Sequence, residues 1–185
     1  MTRLWLARHG ETDWNREGRF QGQADPPLNA SGLAQARQLA DLLVEAGIQA
    51  IYCSDLQRAL LTAQIIGKKL KLIPIGDERL REIRLGEWEG MLKEQIKFQY
   101  PEIWHRRQLD PVQVRPPGGE NLLELAERVC AAADQIAQLH PEGKVLIVSH
   151  GVALACLICQ AGAIPLWQAL RAIPDNAHPI QVDWA

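Results

Sequence analysis

The stretch that decides the fold is Leu4-Trp5-Leu6-Ala7-Arg8-His9-Gly10, in which a short apolar run ends in two basic residues and a glycine. A short, continuous apolar run is typical of a strand that helices cover on both faces. Val145 to Ser149 repeats this pattern before His150-Gly151. Ile48 to Cys53 is a third apolar run, in which the pattern is weaker. These runs predict a parallel sheet.

Apolar residues recur at helical spacing between these strands, so each intervening segment is expected to lay one apolar stripe on the sheet. The last stripe has Asn121 as a candidate N-cap with Glu124 three residues later, and it ends before His140-Pro141. The alternation predicts a three-layer α/β/α sandwich with a mainly parallel central sheet, and a single domain over residues 1–185. The stripes are Leu33, Ala36, Ala40 and Leu43; Leu56, Ala59, Ala63, Ile66 and Leu70; and Leu122, Leu125, Val129, Ala132, Ile136 and Leu139.

Two regions depart from this alternation. Residues 84–119 are rich in proline and contain a polar helical piece around Met91 to Gln99, which predicts a small inserted cap over one end of the sheet. The chain stops just after Ile180 to Trp184. Further sheet-closing sequence is expected there, so an edge strand is predicted to be missing or the chain truncated.

Composition limits the classes of partner. The 20 Lys and Arg residues balance 22 acidic residues, so the surface as a whole has no electrostatic footprint for nucleic acid or for an anionic membrane. Only four apolar residues, Leu4 to Ala7, precede Arg8, too few for a signal peptide, and no apolar run is long enough to span a membrane. A cytoplasmic protein, monomeric or homodimeric, is therefore expected.

The residues that end the predicted strands are the candidate site, because ligands of open α/β sheets bind beyond the carboxyl ends of the strands. His9 and His150 each follow an apolar run and precede glycine. A neutral imidazole is a competent nucleophile toward phosphorus. Arg8 and Arg58 are suitable phosphate ligands, since the guanidinium fork holds two phosphate oxygens and keeps its charge. His150, if protonated, would supply a third positive group.

Hydrolysis of a phosphate ester also needs an acid to protonate the leaving alkoxide. Glu82, at the start of the predicted cap, is the best candidate. Glu87 and Glu89 alternate around Trp88 and are the alternatives, and sequence spacing alone does not choose among the three.

Taken together, the chain resembles the histidine phosphatase superfamily, which includes the phosphoglycerate mutases. The resemblance spans the chain and rests on an ordered set of motifs, which is far more specific than any one of them. The set comprises Arg8-His9-Gly10-Glu11-Thr12 with Asn15, Gln21-Gly22, Ser54-Asp55-Leu56-Gln57-Arg58-Ala59 with Thr62-Ala63, Leu80-Arg81-Glu82-Ile83 with Gly86, Pro117-Gly118-Gly119-Glu120, and Ser149-His150-Gly151.

The resemblance implies a role for each matching residue. His9 would become the phosphohistidine, and Glu82 would be the proton donor. Arg8, Arg58 and His150 would hold the phosphoryl group, while Asn15, Gln21 and Gly22 match positions that line the substrate pocket of the family. No metal or organic cofactor is implied.

The short segment between Glu82 and Gly118, with its Gly-x-Trp-Glu-Gly pattern, resembles the phosphatase branch, whereas the mutases carry a longer, more basic insert. The resemblance therefore favours hydrolysis of a small phosphorylated metabolite, as in the α-ribazole phosphatases and the broad-specificity phosphatases. Two alternatives stay open: phosphoryl transfer of the mutase type, and a protein-directed role in removing or binding phosphohistidine.

Overall fold

The computed structural model describes all residues from Met1 to Ala185 and contains one five-stranded sheet. The strands are β1 (Thr2–Arg8), β2 (Ala50–Cys53), β3 (Ile75–Gly76), β4 (Lys144–Ser149) and β5 (Pro179–Trp184), in the order β3-β2-β4-β1-β5. β3, β2, β4 and β1 are parallel to one another, and β5 runs antiparallel to β1. β1 and β4 carry the two apolar runs that predicted a parallel sheet, and both strands are central and largely buried.

Helices cover both faces of this sheet. α2 (Ala30–Leu42) and α3 (Gln57–Leu70) pack on one face in a cluster that includes Leu39, Ile66 and Val148. α6 (Leu122–Leu139) and α7 (Gly151–Ala161) pack on the other face. The predicted three-layer architecture is therefore confirmed. α6 also begins with the predicted capping box, in which Asn121 accepts from the backbone N–H of Glu124. None of the helices is both long and apolar enough to cross a membrane.

Shorter helices follow β1 and occupy the segment predicted as a cap. α1 (Asp13–Glu17) comes directly after the His9-Gly10 turn. Residues 84–119 contain a 3₁₀ turn (Gly86–Trp88), α4 (Lys93–Gln99) and α5 (Pro101–Leu109). Trp88, at the end of the 3₁₀ turn, is fully buried. This segment thus contributes a large side chain to the core of the α6 and α7 face.

The segment after which further sheet-closing sequence is expected itself forms an edge strand. β5 lies beside β1 as the edge of the sheet, with Val182 opposite Leu4 and Ile180 opposite Leu6. Only alternate residues of β5 are sheltered, because one face of an edge strand meets solvent. The search for continuous apolar runs overlooks such a strand.

Candidate active site

The two His-Gly turns meet because their strands are neighbours. Arg8 at the end of β1 pairs with Ser149 at the end of β4, so His9 and His150 follow side by side. Their ring centroids are 5.1 Å apart with a 60° angle between the planes. Both side chains are buried, with 2% and 0% of their surface exposed. The sheet register therefore brings together two residues that lie far apart in the sequence.

The hydrogen bonds of His9 define which ring nitrogen carries the proton. Nδ1 lies 2.7 Å from the carbonyl oxygen of Gly10. A carbonyl only accepts, so Nδ1 carries the proton and the lone pair is on Nε2. Burial, followed by the charges of Arg58 and Arg8, lowers the pKa of His9 well below its usual value. His9 is consequently a neutral imidazole with an unprotonated Nε2 at neutral pH.

Arg58, in the first turn of α3, donates a hydrogen bond to that unprotonated nitrogen. Its Nε lies 3.3 Å from Nε2 of His9, while its Nη1 and Nη2 donate to the carbonyls of Ala24 (2.7 Å) and Gly22 (2.8 Å). The nearest carboxylate, Asp25, is 3.7 Å away and 41% exposed. Burial lowers the pKa of Arg58 to about 10, so the guanidinium remains charged near neutrality. Backbone carbonyls thus fix its orientation without cancelling its charge.

Thr62 ties this arginine to the His9 turn. Its Oγ1 donates to the carbonyl of Arg58 one helical turn earlier (2.7 Å) and accepts from the backbone N–H of Gly10 (3.1 Å). One hydroxyl therefore sets the spacing between α3 and the residue that follows His9. This contact gives a physical reason for a Thr at this position of the motif.

Polar atoms without partners surround the same point. Arg8 donates from Nη1 to the carbonyl of Pro174 (3.1 Å), but its buried Nε has no hydrogen-bond partner, and neither does either ring nitrogen of His150. Burial, with Arg58 as the next cause, lowers the pKa of His150 well below its usual value, so this ring is neutral when no anion is bound. Unpaired buried polar atoms are costly. A bound anion would supply the acceptors that Arg8 lacks.

Glu82 lies on the wall of the same cavity. Its Oε1 accepts from the backbone N–H groups of Ile83 (2.9 Å) and Ala153 (3.0 Å), and its Oε2 accepts from that of Val152 (3.0 Å). Two of these donors belong to the first turn of α7, where a carboxylate is favoured. The carboxyl group is therefore held at the start of the helix that follows His150.

The alternative carboxylates are placed elsewhere. Glu87 is exposed and accepts from the hydroxyl of Tyr100 (2.7 Å). Glu89 accepts from the backbone N–H groups of Gln23 (2.9 Å) and Leu85 (3.0 Å), and neither glutamate lines the cavity. Of the three candidates, only Glu82 faces the cavity that contains His9.

Asn15, Gln21 and Gly22, the predicted substrate-binding residues, also line this cavity. The Oδ1 of Asn15 accepts from the backbone N–H of Thr12 (3.1 Å), and the Oε1 of Gln21 accepts from the Thr12 hydroxyl (3.1 Å). Their NH₂ groups stay available to a ligand. Gly22 has φ +53°, and a Cβ there would stand 2.4 Å from the carboxylate of Glu89, so the turn requires glycine.

Arg107 is a candidate site residue that is not among the site residues predicted from the sequence. The cavity of about 310 Å³ around His9 shares several walls with a second cavity of about 400 Å³, which Arg107 lines from α5. Arg107 is 7% exposed, its buried Nε has no partner, and it lies 5.4 Å from the ring centre of Trp88. Burial alone lowers its pKa. The shared walls are Phe20, Ile83, Leu85, Val152 and Ile173.

The sequence did contain a signal for Arg107, namely the basic patch Trp104-His105-Arg106-Arg107. This patch has two readings, a site for a second anionic group of a ligand and a solvated helix face. Burial separates its members: His105 and Arg106 are exposed, whereas Arg107 points into the protein. Of the basic residues in this patch, only Arg107 is therefore placed as a site for a second anionic group of a ligand would require.

Comparison with known proteins agrees with this geometry. The sequence pattern of the histidine phosphatase superfamily (branch 1) matches residues 4–185. The chain belongs to this superfamily, and the resemblance inferred from its motifs is confirmed. A probable phosphoglycerate mutase named GpmB from Shigella boydii serotype 18 is 40% identical over 185 residues, covering 100% of this chain and 86% of that protein.

Solved structures confirm the fold class. YhfR of Bacillus stearothermophilus is 34% identical, with a TM-score of 0.88 over 99% of this chain and 91% of that one. An Escherichia coli K-12 protein described as a putative α-ribazole-5′-phosphate phosphatase is 28% identical, with a TM-score of 0.89 over 97% and 89% of the two chains. A mycobacterial glucosyl-3-phosphoglycerate phosphatase in complex with VO₃ is 34% identical, with a TM-score of 0.86 over 97% and 91%.

Proposed function

We propose that the chain is a phosphomonoesterase that hydrolyses a small phosphorylated metabolite of the cytoplasm through a phosphohistidine intermediate. One observation carries this proposal: the unprotonated Nε2 of a neutral, buried His9 accepts from Nε of Arg58, and Nε of Arg8 and both ring nitrogens of His150 lack partners beside it. The arrangement supplies a nucleophile and an anion site at one point. Neither a metal ion nor an organic cofactor is part of the proposal.

In the first half of the reaction, the phosphoryl group binds between the guanidinium groups of Arg8 and Arg58, whose charges offset those of its oxygens. The dianion also favours protonation of His150, against the effect of burial. Nε2 of His9 attacks phosphorus as the bond to the leaving oxygen breaks. We propose that Glu82 takes up a proton when substrate binds, because the phosphate dianion disfavours a second negative charge beside it. Glu82 gives this proton to the leaving oxygen, and the alcohol departs.

In the second half, water attacks the phosphorus of phosphohistidine. Glu82, now a carboxylate, accepts a proton from that water. The P–N bond breaks, its electron pair returns to Nε2, and inorganic phosphate leaves. Asn15 and Gln21, whose NH₂ groups have no protein partner, are proposed to donate to oxygens of the substrate, and Gly22 to admit it by having no side chain.

The second cavity supports a narrower substrate class. Arg107 is a buried cation with no anion beside it, and a cation left unpaired in an apolar wall is costly. We propose that the preferred metabolite carries a second anionic group that reaches Arg107 across the shared apolar walls. Such a compound would resemble a phosphorylated acid more closely than a simple sugar phosphate.

A metabolite screen tests the proposal. Phosphate release would be followed for α-ribazole 5′-phosphate, glucosyl-3-phosphoglycerate, 3-phosphoglycerate, sugar phosphates and p-nitrophenyl phosphate, together with trapping of ³²P on His9. We expect a phosphoenzyme and release of phosphate. If no compound releases phosphate at any pH between 5 and 9, hydrolysis is excluded and a phosphohistidine-binding role is the better explanation.

Transfer of the mutase type is the second candidate, because a relative at 40% identity is described as a probable phosphoglycerate mutase. The two reactions share the first half and differ in whether water or a second alcohol takes the phosphoryl group. Incubation with 3-phosphoglycerate, followed by ³¹P NMR, separates them. Formation of 2-phosphoglycerate faster than inorganic phosphate would contradict the hydrolase proposal.

A further inference from the structure

Arg128, which has no part in the reaction as described, contacts the segment that carries Glu82. It projects from the middle of α6 and donates from Nη1 to the carbonyls of Arg79 (2.8 Å) and Arg81 (2.7 Å). Its Nη2 donates to the carbonyl of Glu82 itself (2.8 Å). One guanidinium thus binds three carbonyls within four consecutive residues.

Glu120 completes this arrangement from the other side. Its Oε1 lies 2.5 Å from Nη2 of Arg128, and its Oε2 lies 3.2 Å from Nε. The same Oε1 accepts from the backbone N–H of Arg84 (2.8 Å), and the N–H of Glu120 donates to the carbonyl of Arg84 (2.9 Å). The Arg128–Glu120 pair therefore forms hydrogen bonds to the backbone on both sides of Glu82.

The backbone needs these contacts because it is irregular. Residues 81–85 belong to neither a helix nor a strand, so their polar groups have no regular partners. The carbonyl of Glu82 has only one other protein donor, Nε2 of Gln23 (3.1 Å). The N–H groups at the start of α7 hold the carboxyl end of Glu82, and Arg128 holds its backbone end.

We propose that Arg128, paired with Glu120, is a positioning residue that sets where the carboxyl group of Glu82 stands relative to the leaving oxygen. The inference rests on the proposed function, because it assumes that Glu82 transfers the proton. Proton transfer requires hydrogen-bond contact, and misplacement by about 1 Å can cost about a hundredfold in rate. Arg128 touches neither the phosphoryl group nor the leaving group.

Leaving groups provide the test. p-Nitrophenolate departs with little help from an acid, whereas an alkoxide needs the proton. We expect Arg128→Met to lower kcat/KM by about tenfold to a hundredfold for an alkyl phosphate and by less than about threefold for p-nitrophenyl phosphate. The ratio kcat/KM reports the steps up to departure of the alcohol, so it leaves out the water step, in which Glu82 serves every ester alike. Arg128→Lys retains the charge beside Glu120 but lacks the planar fork, so we expect an intermediate loss. The matched control is Arg115→Met, which removes an exposed ion pair with Glu124 on the same helix.

A double-mutant cycle separates positioning from a general loss of structure. In a Glu82→Gln background, Arg128→Met should have little further effect on the alkyl ester, because the acid is already absent. Equal losses of kcat/KM for both esters, or full additivity in that background, would overturn the inference. Urea unfolding of each variant measures the structural cost separately.

One further measurement is independent of turnover. The carboxyl ¹³C resonance of Glu82, assigned through Glu82→Gln, should move in Arg128→Met and stay in place in Arg115→Met. If the wild-type protein releases no phosphate from any ester, the proposed function fails, and this resonance still decides whether Arg128 positions Glu82. An unmoved resonance would refute the positioning role.

Discussion

The phosphate end and the cap end of the candidate site are built differently. At the phosphate end, His9 and His150 follow neighbouring parallel strands, and Arg58 begins a helix on the sheet. At the other end, Arg107 projects from α5, a nine-residue helix of the segment 84–119. Strand pairing fixes the first group against one another, whereas packing of short helices around Trp88 fixes the second. We therefore propose that the sheet fixes the reaction centre and that the segment 84–119 fixes selectivity.

The two ends nevertheless share one feature, a buried guanidinium nitrogen without a partner, Nε of Arg8 in one case and Nε of Arg107 in the other. If both nitrogens bind the substrate, a substitution at the phosphate end should stop the reaction of every ester. A substitution at the cap end should change only the preference for one substrate over another. The predictions below test this division.

The largest effect is expected at the nucleophile. His9→Ala removes Nε2, so we expect turnover of every ester to fall by about a thousandfold or more, with no phosphoenzyme formed. The control is His140→Ala, which loses a hydrogen bond to the hydroxyl of Tyr52 (3.0 Å) on another part of the surface. Phosphate release and ³²P trapping measure both. A His9→Ala protein with the wild-type kcat would end the assignment of His9 as nucleophile.

Arg58→Ala should have the next largest effect. Charge-assisted contacts contribute about 1.5–3 kcal/mol each, so losing two of them to the phosphoryl group should lower kcat/KM by about 10² to 10⁴ for all substrates alike. Arg81→Ala is the control, since its ion pair with Asp55 is partly exposed and worth little. A loss that depends strongly on the substrate would instead place Arg58 in selectivity.

Arg107→Met tests the cap end. For a substrate with a second anionic group we expect KM to rise about tenfold to a hundredfold, while kcat and KM for p-nitrophenyl phosphate stay the same. The free energy of unfolding should not fall, because an apolar side chain replaces a buried cation that has no anion. Arg106→Met, a change at the exposed neighbour, controls for net charge. A uniform loss with every ester would show that the two ends are not separable.

The phosphate end could be inferred from the sequence because each of its members ends a strand or begins a helix. Arg8, His9 and His150 follow apolar runs, and the carboxyl ends of parallel strands meet at one edge of the sheet. The sequence also ranked Glu82 first among three glutamates. The structural reason for this choice is that the backbone N–H groups of Val152 and Ala153 donate to the Glu82 carboxyl group. Those donors lie about seventy residues away in the chain.

The cap end could not be inferred in the same way. Arg106 and Arg107 are adjacent and identical in type, and nothing in their spacing says which one turns inward. The burial of Arg107 depends on where Trp88 and α4 pack, which is a tertiary outcome. β5 escaped detection for a related reason, because its alternating pattern has meaning only beside β1.

The smallest predicted effect concerns pH and returns to the phosphate end. His9 and His150 have their pKa values lowered in the folded protein, chiefly by burial. Below the unfolded pKa of about 6.5, the unfolded chain therefore binds protons that the folded chain does not. The free energy of unfolding is therefore at its full value above that pH. It falls as the pH decreases, by up to about 1.4 kcal/mol per pH unit for each histidine.

Urea unfolding between about pH 5 and pH 7 measures this slope in a window where most carboxylates stay ionised. His9→Ala should reduce the slope by about half, whereas a change at the exposed His105 should leave the slope as it is. This comparison distinguishes the contribution of the two buried histidines from that of the exposed ones. Saturating inorganic phosphate should flatten the slope too, because an anion between the arginines favours a protonated His150 in the folded state. Stability that rises as the pH falls through this window would contradict the neutral, anion-free site from which the nucleophile argument starts.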